Sequence, residues 1–427
     1  MSDFRKLWLL FQLRRNAWRK TEDLLKIQEK KLRAIIKHAY ENVEFYHKKF
    51  DSLGLKPSDV KNVEDLKKLP MISKKEIRDN YPEGIVAKGV DIRKCKTYRT
   101  SGSTGIPLTI LLDKSAEDYR AALFGRPFFE CGLGLRDRMV EIVDERHVKR
   151  DKEWYQRLGL LGRLYVPATQ SVDEQMPLIA AYKPDAIFGY SSWLHLLAKT
   201  MRKAESKQLS PRLVFSTAEI LTQEQRKCIE STFEVDVLDF YGCVEVERVA
   251  WECREQVGYH MDVDCVATEF VKDDEEVSPG ERGNLILTCL CNYAMPLIRY
   301  NIGDIAVPTN EKCTCGRGLP LMKNIEGRAD DMVIAPSGKI LVPENFAQMM
   351  RAISGIGQYK VIQQKKDEII VQIVKGTGFS QNTVKMVREE IKRILGSDVH
   401  VKPFIVSEIE RDKSGKLRAV VTKVPIF

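Results

Sequence analysis

A chain of 427 residues has room for two or three domains, or for one large domain with a smaller appendage. With 43% hydrophobic and 30% charged residues, its composition is that of a soluble globular protein. The net charge of +9, from 69 basic against 60 acidic residues, favours anionic small molecules. No concentrated basic stripe with aromatics stands out, which argues against nucleic acid.

At the N-terminus, Leu7-Trp8-Leu9-Leu10-Phe11 is far shorter than the ~18 apolar residues of a membrane span, and no cleavage site marks a secretory signal. With Arg5, Lys6, Arg14 and Arg15 beside it, the segment reads as a buried amphipathic helix without stable membrane insertion. Leu32, Ile35, Ile36, Ala39 and Val43 recur at helical spacing, predicting helix over about 20–50. Gly54, Pro57, Pro70 and Pro82 punctuate a connection. Between about 95 and 310, short strand-like runs such as Ala186 to Tyr190 alternate with helical ones such as Trp193 to Met201, the pattern of an α/β architecture. The character changes near residue 328. Strand-like runs at Lys360 to Ile362, Ile369 to Val374 and Val399 to Val406 bracket a helix with Val384, Val387, Ile391 and Ile394 on one face, ended by Gly396. The expected organisation is a large multi-sheet α/β domain over 1–327, a hinge at 328–331 and a small mobile α+β domain over 332–427. Ten cysteines in a chain of this size without a signal point to a reducing cytoplasm.

The densest chemical signal is Tyr98-Arg-Thr-Ser-Gly-Ser-Thr-Gly-Ile-Pro107. The hydroxyls of Thr100, Ser101, Ser103 and Thr104 donate to phosphate oxygens while staying neutral, and Gly102 and Gly105 let backbone N–H groups approach an anion. The loop is not a Walker A sequence; the strand-like Leu108 to Leu112 that follows places it between two strands. Downstream, Phe240-Tyr241-Gly242-Cys243-Val244-Glu245 offers an aromatic to cover a base and a carboxylate for Mg²⁺. Arg299-Tyr-Asn-Ile-Gly-Asp304 ends in a carboxylate suited to two ribose hydroxyls. Ser216-Thr-Ala218-Glu219 precedes a helical stretch, Gly327-Arg328-Ala-Asp330-Asp331 lies at the junction, and Ser414-Gly-Lys416-Leu-Arg418 lies near the C-terminus.

In this order the segments resemble the adenylate-forming enzymes, in particular the phenylacetate–CoA ligase, CapK-like and coenzyme F390 synthetase branch. The resemblance covers nearly the whole chain, including Leu32 to Tyr46 and Leu66-Lys-Lys-Leu-Pro70. It implies that Thr100 to Gly105 lies over the β- and γ-phosphates of ATP, Ala218, Glu219 and Gly242 lie at the nucleotide, and Tyr241 stacks on adenine. Glu245 would bind Mg²⁺, Asp304 the ribose with Arg328 nearby, Asp330 would be the hinge, and Lys416 would reach the α-phosphate and carboxylate. The implied reaction is adenylation of a carboxylic acid, aryl or related, with release of pyrophosphate and acyl transfer to CoA. The alternatives are a nucleotidyltransferase that leaves AMP or GMP on a deazaflavin or other acceptor, and a non-catalytic nucleotide-binding protein. Family likeness also suggests a homodimer.

Three departures from the family pattern stand out. Val244 replaces the usual Ser or Thr before the glutamate, Asn301-Ile302 replaces Arg-Thr before Gly303-Asp304, and Pro336-Ser-Gly-Lys-Ile340 lacks a double glycine. Cys253, His260, Cys313 and Cys315 make a closed Cys₃His set suited to structural Zn²⁺, with Cys265, Cys289 and Cys291 as rival ligands. Phe128, Phe129, Tyr190 and Trp193 are candidates for lining an acid pocket, with a core role as the plainer reading.

Overall fold

The computed structural model describes residues 2–100, 108–143, 145, 148, 153–203, 209–328, 331–411 and 417–424. The chain divides into two compact units, neither contiguous in sequence: 1–133 with 238–325, and 134–237 with 326–427. The C-terminal segment expected as a separate domain is thus grouped with 134–237, whereas the sequence partition places everything before 328 together.

The first unit begins with helices Ser2–Ala17, Thr21–Asn42 and Glu44–Ser52. The single helix expected over 20–50 is broken at Val43, whose extended backbone (φ −121°, ψ 112°) ends one helix and starts the next. In Ser2–Ala17, Leu9, Leu13 and Ala17 form the buried stripe, while Phe4, Leu7, Trp8 and Phe11 are exposed. The helix is amphipathic, as expected from sequence, but only Leu9 of the Leu7–Phe11 run lies on its buried face. Polar anchors fix its orientation: Arg5 donates to Ser115 and Arg14 to Glu130, both on helix Lys114–Glu130. Among the described residues no helix is long and apolar enough to cross a membrane.

The hairpin Lys96–Arg99 and Thr109–Leu112 flanks the hydroxyl-rich loop, so the loop does join two strands. Most of this unit's remaining strands belong to one sheet, in the order Glu275–Glu276, Val266–Lys272, Gly283–Cys289, Tyr300–Pro308, Leu321–Arg328 (its last three residues grouped with the second unit), Tyr259–Met261, Glu247–Glu252 and Val237–Cys243 (Val237 likewise). Its polar keystone is Arg126, fully buried between Asp262 and Asp264.

The second unit has a parallel sheet in the order Leu213–Thr217, Ala186–Tyr190, Arg138–Val143, Gly162–Pro167. Helices Val172–Tyr182, Ser191–Lys203 and Gln223–Phe233 bury Ile179, Trp193, Leu197 and Ile229 around Val140, Ile187 and Val214. Parallel strands covered by helices read as continuous apolar runs, which is why Ala186 to Tyr190 was legible. The C-terminal segment carries a four-stranded sheet, His400–Val406, Glu368–Lys375, Ile356–Lys365 and Val420–Thr422. Helix Gln381–Leu395 buries Val387, Ile391 and Leu395 in its core and stops at Gly396 (φ +120°), a conformation that favours glycine.

Replacing Arg126 by Ala leaves two buried carboxylates without their cation. The expected loss is about 3–5 kcal/mol of stability, read as a lower urea midpoint with ellipticity in buffer retained. A midpoint equal to that of the native chain contradicts this role.

Candidate functional site

In the first unit, two carboxylates are each held by a tyrosine hydroxyl. Tyr241 donates to Asp304 Oδ2 at 2.5 Å, and Tyr300 donates to Glu245 Oε1 at 2.8 Å. Tyr241 lies on the strand Val237–Cys243, while Tyr300 and Asp304 share the strand Tyr300–Pro308. Burial, then the charge of Asp304, pushes the Tyr241 phenol well above its ordinary range, so it remains a donor at all working pH values.

A tight reversal delivers Glu245. The strands Val237–Cys243 and Glu247–Glu252 pair with a register shift between Tyr241 and Gly242. A Cβ on Gly242 would fall 2.0 Å from the Glu247 carbonyl oxygen, so only glycine fits. Glu247 completes the turn at φ +76°. Arg120 clamps it by donating to the Val244 carbonyl at 2.8 Å and pairing with Glu247 at 2.6 Å. Glu245 itself is only 3% exposed, beside a cavity of about 20 Å³ that also borders Arg120, Cys265 and Asn292. That is room for one water-sized group. Arg120 carried no motif signal in the sequence, and Tyr300 lay inside the Arg299–Asp304 motif with no role assigned to it.

Thr100 serves the base of the hydroxyl-rich loop. Its amide bonds to the Leu108 carbonyl at 3.0 Å, and its hydroxyl accepts from the Leu108 amide at 2.8 Å. Ser101, Gly102, Ser103, Thr104 and Gly105 lie outside the described residues, as do Asp330 and Lys416.

The second unit holds Ala218, Glu219 and Arg328. Ala218 adopts φ +67°, a strained value for a residue with a Cβ. Both carboxylate oxygens of Glu219 are engaged: Oε2 accepts from the Ser192 amide at 2.8 Å and Oε1 from the Leu417 amide at 2.6 Å. Arg411 donates to the Ser192 hydroxyl at 2.9 Å. Burial raises the Glu219 pKa while these N–H donors oppose the shift. Glu219 therefore ties the start of helix Ser191–Lys203 to the residue that follows Lys416. The partner Leu417 was not visible in the sequence, because a backbone amide has no residue-type signature. Next to the expected hinge, Arg418 Nε donates to Asp331 at 2.7 Å. Gly327 adopts φ +109°, and a Cβ there would fall 3.3 Å from Ile220 Cγ1, so glycine suits the strand that carries Arg328.

Three of the four aromatic candidates are core residues, and Phe129 is half-buried. Phe128 is fully buried and packs edge-on to Phe240 at 5.2 Å, Tyr190 and Trp193 belong to the parallel-sheet core, and Phe129 stacks under Arg14.

Cys253, His260, Cys313 and Cys315 converge in the first unit, with all four donor atoms within 4.8 Å of one another. The sulfurs of Cys253 and Cys313 are 3.5 Å apart, and Cys315 Sγ lies 3.4 Å from His260 Nε2. Gly316, at φ +84°, turns the chain between Cys315 and Arg317. His260 Nδ1 lies 3.3 Å from the Leu319 carbonyl, which fixes the ring with Nε2 toward the sulfurs. Cys265, Cys289 and Cys291 group elsewhere, with Lys31 Nζ 3.8 Å from Cys291 Sγ, so the rivals do not join this set.

The CapK C-terminal domain family matches residues 333–423. A phenylacetate–coenzyme A ligase of Aromatoleum evansii is 30% identical over 95% of this chain and 95% of its own length. One from Escherichia coli K12 is 31% identical over 73% of each. Among solved structures, 2-hydroxyisobutyryl-CoA ligase in the postadenylation state has the same fold, with a TM-score of 0.77, 20% identity, and coverage of 96% of this chain and 91% of that one. With two relatives at this identity and coverage, the chain belongs to the phenylacetate–CoA ligase and CapK-like branch of the adenylate-forming enzymes.

Proposed function

We propose that this protein is an AMP-forming acid–CoA ligase that activates an aryl or related carboxylic acid with ATP. The observation that carries the reading is the pair of tyrosine-held carboxylates, Tyr241–Asp304 and Tyr300–Glu245, in a chain of this family. Asp304 would receive the ribose hydroxyls, Tyr241 would cover the adenine, and Ala218 and Gly242 would lie along the nucleotide. A buried carboxylate already fixed through one oxygen is a suitable hard donor, so Glu245 fits Mg²⁺. Bound there, the ion neutralises phosphate charge.

In the first half-reaction a carboxylate oxygen of the acid bonds to the α-phosphorus. The bond from that phosphorus to the bridging oxygen breaks, and pyrophosphate leaves. Two anions approach, so a cation must meet the developing charge, and Lys416 would supply it. Glu219 would position that lysine through the neighbouring Leu417 amide. In the second half-reaction the CoA sulfur bonds to the acyl carbon, AMP departs with the oxygen, and the thiol proton passes to solvent. Movement of the 332–427 segment about 328–331, with Asp330 as pivot, would separate the two steps.

The Cys253, His260, Cys313 and Cys315 set fits Zn²⁺. Its donors are three thiols and one imidazole, four in all, which leaves no open position and suits a structural ion.

Acid-dependent exchange of labelled pyrophosphate into ATP is expected for the native chain, with Lys416→Ala slowing it about 10²–10³-fold. No exchange with a broad panel of aryl and aliphatic acids contradicts the ligase reading. Metal analysis of purified protein is expected to give about one zinc per chain, as a closed four-ligand site requires. The double substitution Cys313→Ser and Cys315→Ser is expected to lose the zinc and lower the thermal midpoint. Zinc well below one equivalent in the native chain contradicts the metal assignment.

A further inference from the structure

Within the second unit, a cavity of about 330 Å³ lies beside helices Ser191–Lys203 and Gln223–Phe233. His195, Lys199 and Arg202 recur at intervals of four and three, so they share one face of the first helix. Glu224, Lys227, Cys228 and Ser231 do the same on the second, and Arg351 at the end of helix Pro343–Arg351 completes the lining. Four cations meet one carboxylate.

Lys199, Arg202, Lys227 and Arg351 are exposed around an open groove, and three features distinguish it from scattered surface charge. Among the described residues no ion pair neutralises Lys199, Lys227 or Arg351. Arg202 is steered into the groove by a hydrogen bond to the Ser231 hydroxyl. His195 Nδ1 is buried with no partner. Burial, then the charges of Lys199 and Arg202, holds the His195 imidazole down to about 4, so it is neutral here and adds a hydrogen-bonding group without adding charge. Like charges gathered around one groove repel, solvent screens part of that repulsion, and an anion among them relieves the rest. Flexible lysines and a planar guanidinium are the donors that phosphate groups take. The volume suits a ligand of nucleotide size more than a lone ion.

We propose that this cavity is a binding site for a phosphate-bearing ligand, built from residues other than those assigned to ATP. Two sources share that chemistry: the 3′-phosphorylated nucleotide head of CoA, which rests on the ligase reading, and pyrophosphate, the product of adenylation.

The test is calorimetric titration of the full chain with CoA, with 3′-dephospho-CoA and with pyrophosphate, none of which requires turnover. The proteins are the native chain, the double variant Lys199→Glu and Lys227→Glu, and the single variant Arg351→Gln, which covers the case that charge reversal disturbs folding. ATP binding within twofold of native serves as the control on the residues assigned to ATP. The expected result is at least a tenfold loss of affinity in the double variant and a smaller loss in Arg351→Gln. Loss for CoA but not 3′-dephospho-CoA identifies the CoA head, and loss for pyrophosphate alone identifies the product. Unchanged affinity for all three probes in both variants overturns the site. Failure of acid-dependent exchange would sink the ligase reading while leaving these titrations interpretable.

Discussion

The first unit is organised around one buried cation. Arg126 has no exposed surface, yet it contacts Asp262, Asp264 and the Leu13 carbonyl. Asn16 and Lys31 add donors to Asp264 and its carbonyl, and the Trp251 indole donates to Asp262 at 2.9 Å. Burial lifts Asp262 to about 6, while Arg126 and then Lys31 hold Asp264 below the usual carboxylate range. A buried ion pair gains little over an apolar isostere, but losing one partner is costly. Here the pair ties the first two helices and helix Lys114–Glu130 to the turn at 262–265, two residues beyond His260, so the Cys₃His set and the N-terminal helices share one anchor.

The candidate site residues of each unit, taken separately, follow the same economy. The candidate carboxylates are fixed by neutral donors, tyrosine hydroxyls for Asp304 and Glu245 and backbone amides for Glu219. Neutral donors orient a carboxylate without cancelling the charge it needs for a cation or a ribose. Backbone geometry then supplies the reach: Gly242 permits the reversal that presents Glu245, and Gly303 (φ +82°) bends the strand at Asp304.

Much of this was legible in the sequence because it rests on residue type at short spacing. The helix Gln381–Leu395, the strand Ala186–Tyr190, the tyrosine and acid motifs and the cysteine-glycine turn at 313–316 are all local patterns. What escaped is long-range or carried by the backbone. Arg126 looks like one arginine among many until folding brings Asp262 and Asp264 to it. Arg120, Tyr300 and Leu417 act through partners 55 to 198 residues away in the chain. Which face of Ser2–Ala17 is buried turned on Arg5 and Arg14 finding Ser115 and Glu130, a choice the apolar run itself does not encode. The break at Val43 is likewise invisible to periodicity, because the apolar spacing continues into Phe45 and Tyr46 on the next helix.

The central claim is that the nucleotide is transferred to a carboxylate and then displaced by a thiol. Mass spectrometry of a single turnover, first without CoA and then after adding it, reads both events directly. The account predicts an acyl-adenylate in the first sample, replaced by acyl-CoA and free AMP in the second. A stable nucleotide adduct on a non-carboxylate acceptor, unaffected by CoA, would contradict it.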